Sequence, residues 1–343
     1  MSTTPTTQQS NAQSQQPTPE RIFQALTGYQ MTAAMRAAIE LDIFTAIAEG
    51  DDTPARIAAR CGCAEKGARV LCDYLTVASF LTKQDGRYAL TPESQIFLVR
   101  TSPAYMGGIA GFLASGSLVE AYQTFTESVR KGGTTMPEQG SMTPDHPMWE
   151  DFARSMVAMM RPPAAAIAQI VGSDGACKVL DIAAGHGIFG ITIAQHNSQA
   201  QVYAVDWKNV LAIAEKNAQE AGVAERYHTI PGSAFDVDLG AGYDIVLLTN
   251  FLHHFDPPTN ERLLGRVRDA LKDGGRAITL EFVPNEDRVT PPQTAAFAIN
   301  MLGSTEAGDA YTFAELERMF KDAGFTRSEI FPGVPGSIIV SYK

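Results

Sequence analysis

Apolar residues recur at two different periods along this chain, and the change of period divides it. From Pro19, the residues Ile22, Phe23, Ala25 and Leu26, then Ala33, Met35, Ala37, Ala38, Ile39 and Leu41, fall at the spacing of amphipathic helices. Thr53-Pro54 reads as an N-cap followed by a first helical residue, Gly62 as a helix stop, and 65–78 as the next helix. Residues 81–90 alternate on both sides of Asp85-Gly86, a hairpin signal. Two helices and a hairpin make a winged-helix pattern. Residues 102–171 read as mostly helical and rich in Met and Ala, broken by Gly132-Gly133 and the Pro-bearing stretch 136–147. Pro162-Pro163 predicts a kink or a new helix start.

Beyond Asp174 short apolar runs alternate with helical stretches. Strands are expected at 178–182, 201–205, 227–230, Tyr243–Thr249, 276–282 and 336–342. Helices are expected at Ile188–His196, 211–221 and 259–272, the last stopped by Gly274-Gly275. A capping box at Thr312 and Glu315 opens a final helix ending near Gly324. Alternating strands and helices predict an α/β doubly wound, largely parallel sheet. The expected layout is a disordered tail at 1–18, a winged-helix-like domain at 19–100, a helical connector at 101–172 and an α/β domain at 173–343.

Composition narrows the function classes. The 343 residues carry 27 Lys and Arg against 38 Asp and Glu, a net −11 that opposes nucleic-acid binding driven by bulk charge. The winged-helix segment itself, 20–100, holds 9 basic and 10 acidic residues, so no basic stripe marks it as a DNA reader. No apolar run approaches the ~20 residues of a membrane span. The Ser/Thr/Gln-rich start lacks the apolar core of a signal peptide. Four irregularly spaced cysteines, Cys61, Cys63, Cys72 and Cys177, fit reduced thiols in the cytoplasm and no metal site.

The candidate chemistry begins at Asp181-Ile182-Ala183-Ala184-Gly185-His186-Gly187-Ile188-Phe189-Gly190. Its glycines satisfy GxGxxG between a strand and a helix, which suits any adenosine-bearing cofactor. An acid on the strand, Asp181, favours a cationic ligand over a pyrophosphate, and S-adenosylmethionine is cationic and phosphate-free. Asp206 stands at the end of the next strand, 19 residues past Gly187, where an acid accepts ribose hydroxyls. Trp207 follows with an apolar face, and Ser233, Ala234 and Phe235 stand where an adenine edge and face would be met. His186 reads either as a cofactor-side donor or as an exposed loop residue.

The order and spacing of residues 181–190, Val205-Asp206-Trp207, Gly232-Ser233-Ala234-Phe235 and Asn250-Phe251-Leu252-His253-His254-Phe255 resemble one family. It is the small-molecule S-adenosylmethionine-dependent O-methyltransferases of the plant caffeate/flavonoid and bacterial natural-product type. The resemblance runs from about Pro19 to Lys343. It implies S-adenosylmethionine as donor, a Rossmann-like C-terminal domain and a homodimer formed through the N-terminal winged-helix domain.

Asn250, His253, His254 and Glu281 fall at strand ends that converge on the cofactor crevice, with Asn250 on the cofactor side. A histidine suits removal of a proton from an acceptor hydroxyl near neutral pH, and a carboxylate suits the orientation of that histidine. The family motif puts His253 at the base position, with Glu281 as its partner. His254 falls where plant members usually carry Asp, and is expected toward substrate or solvent. The acceptor, a small hydroxylated and aromatic metabolite, is expected between Met156, Met160, Asn300, Met301 and the His253 edge. One departure stands out: the position of the plant-type second carboxylate is Ala310, with Glu306 and Asp309 out of register. That keeps C- or N-methylation, or a non-methylating relative, as alternatives. An NAD-dependent oxidoreductase and a DNA-binding regulator are the readings from other classes.

Overall fold

The computed structural model describes residues 17–136, 148–333 and 335–343, apart from the side chains of Ser117 and Met148. Most of the expected N-terminal tail and nearly all of the Pro-bearing stretch lie outside them. The chain divides into two compact units, meeting at Ser94/Gln95, so residues 101–172 belong to the second.

The first unit carries helices Glu20–Leu26, Gly28–Glu40, Ile43–Ala48, Pro54–Cys61 and Glu65–Val77, then strands β1 (Leu81–Gln84) and β2 (Arg87–Leu90). Thr53 caps its helix by accepting the Arg56 N–H, and Gly62 ends it in the left-handed conformation. The hairpin is antiparallel, pairing Leu81 with Leu90 and Gln84 with Arg87. Asp85 and Gly86 both take positive φ, the two-residue turn that matches strand twist. The core is built on Ile43, Phe44, Ile57, Cys72 and Leu75. Helix Glu20–Leu26 buries nothing, and leaves Ile22, Phe23 and Leu26 more than 60 % exposed.

The second unit holds a seven-stranded sheet in the order β5-β4-β3-β6-β7-β9-β8. Its strands are β3 (Cys177–Ile182), β4 (Ala200–Asp206), β5 (Tyr227–Pro231), β6 (Tyr243–Thr249), β7 (Leu271–Glu281), β8 (Arg327–Pro332) and β9 (Ser337–Tyr342). The β5 to β7 side is parallel, and β9 runs antiparallel to both β7 and β8. The strand order reverses at β3, so a crevice opens beyond the carboxyl ends of β3 and β6. Both faces are covered, which is why the central strands are almost continuously apolar. Val179, Ile245 and Leu247 pack under helices Val157–Val171, Ile188–His196 and Lys208–Glu220. Leu180, Val246 and Leu248 face Pro257–Ala270 and Phe313–Asp322.

Three details differ from expectation. Pro162 and Pro163 lie inside helix Val157–Val171, which begins five residues before the first of them. Helix Pro257–Ala270 stops before the glycine pair, and β7 starts at Leu271. Gly274-Gly275 forms an irregularity within β7, because Leu271 pairs with Tyr243 while Arg276 pairs with Ile245. Strand β8 was not expected; its side chains are half-buried or exposed, without the apolar alternation that marks a strand.

Candidate active site

Strand β3 delivers the glycine loop to the crevice. Ala183, Gly185 and Gly187 all take positive φ, which lets the chain turn sharply into helix Ile188–His196. The glycines do different work. A Cβ on Gly185 would meet nothing closer than 3.9 Å, so this position borders open space. A Cβ on Gly187 would stand 2.6 Å from Tyr227 Oη and 3.0 Å from Ala214 Cβ. One on Gly190 would stand 2.6 Å from Val202 Cγ1. Gly187, expected to touch the cofactor, is small because the protein packs against it.

Asp181 and His186 also turn inward. Asp181 has no exposed surface; its Oδ2 accepts the Gly190 N–H at 3.2 Å and its Oδ1 has no partner among the described residues. Burial pushes its carboxyl up to about 7, against the lowering effect of that bond. The direct ligand contact expected of it has no surface to be made through. His186 is buried, not an exposed loop residue. Its Nδ1 accepts the Ile188 N–H, its carbonyl accepts from Asn217, and its ring stacks on Phe152. Burial brings its imidazole down to about 4, so it is neutral near pH 7.

Those contacts test the cofactor class. The amides of Ile188 and Gly190, donors that a pyrophosphate would need at this helix start, are already taken by an imidazole and a carboxylate. The loop does not fit a dinucleotide. A phosphate-free cofactor beside Gly185 and the Asp206 carboxyl fits.

Asp206 ends β4 half-buried, its Oδ2 accepting the Gly185 N–H at 2.8 Å and its Oδ1 the Trp207 N–H at 2.7 Å. Burial raises its carboxyl to about 6. The Gly232 N–H bonds the Asp206 carbonyl, bringing the turn after β5 alongside. In that turn Ser233 Oγ accepts the Phe235 N–H, and the Phe235 ring meets Phe255 edge-on at 5.0 Å. Ala234 is buried, with its carbonyl on Arg266.

The ends of β6 and β7 bring Asn250, His253 and Glu281 into the site. Asn250 is left-handed, donates its N–H to the Leu280 carbonyl at 2.8 Å and points Nδ2 at Met160 Sδ, 3.4 Å away. The short turn Leu252–His254 follows. Glu281 Oε2 lies 2.5 Å from His253 Nδ1, while its Oε1 accepts the N–H groups of Phe251 and Leu252 at 2.9 and 2.8 Å. Both residues are buried, and His253 Nε2 has no hydrogen-bond partner among the described residues. The carboxylate fixes the tautomer: Nδ1 carries the proton and Nε2 is the basic nitrogen.

His254 lies 4.3 Å from His253, ring to ring, with Trp149 edge-on at 5.5 Å. Burial and the neighbouring imidazole hold it well below the usual histidine range, so it is neutral, and its Nδ1 has no partner among the described residues. Phe297 meets the His253 ring edge-on at 4.9 Å and stacks on Phe282 at 4.0 Å.

The expected acceptor residues divide. Met156, Met160 and Met301 are buried, the first two in the main core cluster. Asn300 is exposed and accepts the Tyr122 hydroxyl. Trp149 and Phe297 were missed as site residues; a rare tryptophan in a Met-rich helix is the only trace the sequence carries of either. Ala310 is buried and Asp309 pairs with Arg288, so Glu281 is the single carboxylate on His253 among the described residues.

Two family profiles match this chain: an O-methyltransferase domain over residues 144–326 and an O-methyltransferase dimerisation domain over residues 23–100. The chain belongs to the O-methyltransferase family. The enzyme is 30 % identical, over 89 % of each chain, to 3-hydroxy-5-methyl-1-naphthoate 3-O-methyltransferase of Streptomyces sahachiroi. The crystal structure of an O-methyltransferase candidate from Nostoc punctiforme is 48 % identical, with a TM-score of 0.93 over 96 % of this chain and all of the other. A structure of PigF with SAH is 25 % identical, with a TM-score of 0.83 over 95 % of this chain and all of that one. The fold is therefore that of class I methyltransferases, and the cofactor is S-adenosylmethionine. Among the described residues no group of three His, Cys, Asp or Glu is placed to hold a metal ion, and no helix is long and apolar enough to cross a membrane.

Proposed function

We propose that this methyltransferase acts on a hydroxyl of a small, flat aromatic metabolite, with His253 as general base. The His253–Glu281 pair carries the reading. A hydroxyl attacking a methyl group must shed its proton, and Nε2 is the one basic atom that the carboxylate contact leaves free. Glu281 holds the ring and stabilises the imidazolium as it forms, the part a carboxylate plays behind any such base. Bound S-adenosylmethionine supplies an electrophilic methyl on its sulfonium. Asp206 would accept the ribose hydroxyls, Gly185 would let the backbone approach, and Trp207, Ser233, Phe235 and Asn250 would border the cofactor. Asp181 would act through the loop it anchors.

The rings of Trp149, His254 and Phe297 around the base support an aromatic acceptor, with His254 offering a neutral polar edge. The 30 % identical relative acts on a hydroxylated naphthoate, which is of this class. A homodimer is supported by the dimerisation-domain match and by the uncovered apolar face of helix Glu20–Leu26. Four unbridged cysteines suit a reducing compartment, the cytoplasm. Screening hydroxynaphthoates and simpler phenols with labelled cofactor tests the reading; transfer to carbon or nitrogen alone, or to no hydroxylated arene, would overturn it.

A further inference from the structure

The loop 305–310, where Ala310 stands at the position of the plant-type second carboxylate, approaches the turn that bears His253 by its backbone. A Cβ on Gly308 would stand 2.2 Å from the His253 carbonyl oxygen and 2.9 Å from the His254 carbonyl carbon. Both are backbone atoms, which cannot swing aside as the end of a side chain can. The loop is itself held in place. The Gly308 N–H donates to Thr305 Oγ1 at 3.0 Å, and that hydroxyl donates to the Met301 carbonyl at 2.7 Å.

From the other side Thr134 donates its N–H to the Thr305 carbonyl and its hydroxyl to the Gly303 carbonyl, both at 2.7 Å. A Cβ on the preceding Gly133 would lie 2.2 Å from the Glu306 carbonyl oxygen. Two glycine approaches in series thus connect residues 133–134, through the loop, to the residue that bears the base. Glu281 has a similar neighbour, since a Cβ on Gly336 would stand 2.5 Å from its carbonyl oxygen.

We infer that Gly308 is a positioning residue: by seating its backbone on the His253 carbonyl it keeps the Leu252–His254 turn where His253 Nδ1 meets Glu281 Oε2. The inference rests on the reading of His253 as base. It explains how the site does without a second carboxylate, because close backbone packing at the His253 carbonyl restrains the turn in addition to Glu281. Bulk at residue 308 moves the turn, and a misplacement of ~1 Å at a reacting group costs on the order of 10²-fold in rate.

The experiment compares Gly308→Ala, Thr305→Val and, as a control, Gly265→Ala. A Cβ at Gly265 meets no atom within 4 Å, and Thr305→Val removes the loop's internal acceptor without adding bulk. Each variant is examined for melting temperature, S-adenosylmethionine affinity and the downfield NMR signal of the His253 Nδ1 proton. Turnover is read on 3-hydroxy-5-methyl-1-naphthoate, and the NMR arm needs no acceptor. Gly308→Ala is expected to keep cofactor affinity within about threefold, to shift or broaden the Nδ1 signal, and to lower kcat by about 10²-fold with little change in KM. Thr305→Val moves the same readouts less, and Gly265→Ala moves none. An unchanged Nδ1 signal in a folded Gly308→Ala, or in Thr305→Val should the first not fold, overturns the inference. Full turnover by His253→Ala would instead overturn the base reading and leave the Nδ1 result standing on its own.

Discussion

Glu281 holds His253 both by its ring and through its turn: Oε2 takes the imidazole Nδ1–H at 2.5 Å, while Oε1 takes the N–H groups of Phe251 and Leu252. The two partners therefore fail differently when changed. His253→Ala removes the base and leaves the glycine loop intact, so kcat should fall about 10²–10⁴-fold with cofactor affinity nearly unchanged. Glu281→Gln keeps a single oxygen for four donors, the N–H groups of Phe251, Leu252 and His253 and the His253 ring, and leaves the imidazolium uncompensated. It should lower kcat and also destabilise the protein by about 1–3 kcal/mol, the usual cost of an unsatisfied buried donor. Single-turnover kinetics, calorimetric titration and denaturant unfolding separate the two patterns. A Glu281→Gln variant of wild-type stability and rate would sink the two-point role.

Gly185 and Gly187 look equivalent as letters of one motif but should respond oppositely to alanine. Both have positive φ, so each variant carries about 1–2 kcal/mol of backbone strain. Gly187→Ala adds the clash with Tyr227 and Ala214 and should be the markedly less stable protein. Gly185→Ala meets no protein atom closer than 3.9 Å, and its penalty should fall on cofactor binding, at least tenfold in Kd. Melting curves beside calorimetric titration decide it. Equal melting temperatures for the two variants would contradict the assignment of Gly187 to packing.

That pair shows what could be read from the sequence. The motif places its glycines, yet which of them faces a ligand depends on Tyr227 and Val202, residues brought in by β5 and β4. The convergence of Asn250, His253, His254 and Glu281 was legible because strand order can be argued from alternation, and β6 beside β7 carries them to one crevice; the choice of His253 over His254 came from the family resemblance. The hairpin was legible through Asp85-Gly86, whose conformation is local. The inward turn of Asp181 and His186 was not, since nothing in residues 181–190 says which side of the strand the helix will cover. Helix Ile43–Ala48 follows a left-handed Asp42, a break without a Gly or Pro to announce it. The positioning role of Gly308 depends on a carbonyl contact across 55 residues and has no signature in the sequence at all.

The exposed face of helix Glu20–Leu26 gives a prediction about assembly. Phe23 and Leu26 are 63 % and 69 % exposed and belong to no core, so replacing them cannot open a cavity within the protomer. The double variant Phe23→Asp, Leu26→Asp should keep the circular dichroism of the parent and sediment as a monomer, where the parent sediments as a dimer. Burying about 25 cal/mol per Å² of apolar surface makes this helix a favourable part of an interface, and two charges there oppose it. A variant that still sediments as a dimer would place the interface elsewhere.

Asp181 should make the cofactor-free enzyme less stable as pH rises. Burial puts its carboxyl at about 7 in the fold, against about 3.9 in an unfolded chain. A group raised in this way favours the folded state fully below pH ~4, and that advantage is lost as pH climbs through about 7. That rise corresponds to about 4 kcal/mol between the ends of the window. His186, lowered to about 4, acts in the opposite sense, losing stability as pH falls from ~6.5 toward 4. These windows overlap each other and that of Asp206, which burial raises to about 6, so the wild-type curve alone isolates none of the three. Asp181→Asn isolates the first, because it keeps an oxygen for the Gly190 N–H, removes the ionisation and leaves His186 as it was. The stability of Asp181→Asn relative to wild type should therefore rise between pH 4 and 8, favouring the variant more as the wild-type carboxyl ionises. Urea unfolding of both proteins at half-unit steps measures the difference directly. Parallel curves across that range would mean that Asp181 is charged in the fold throughout, and would remove the basis for treating it as a neutral anchor of the loop.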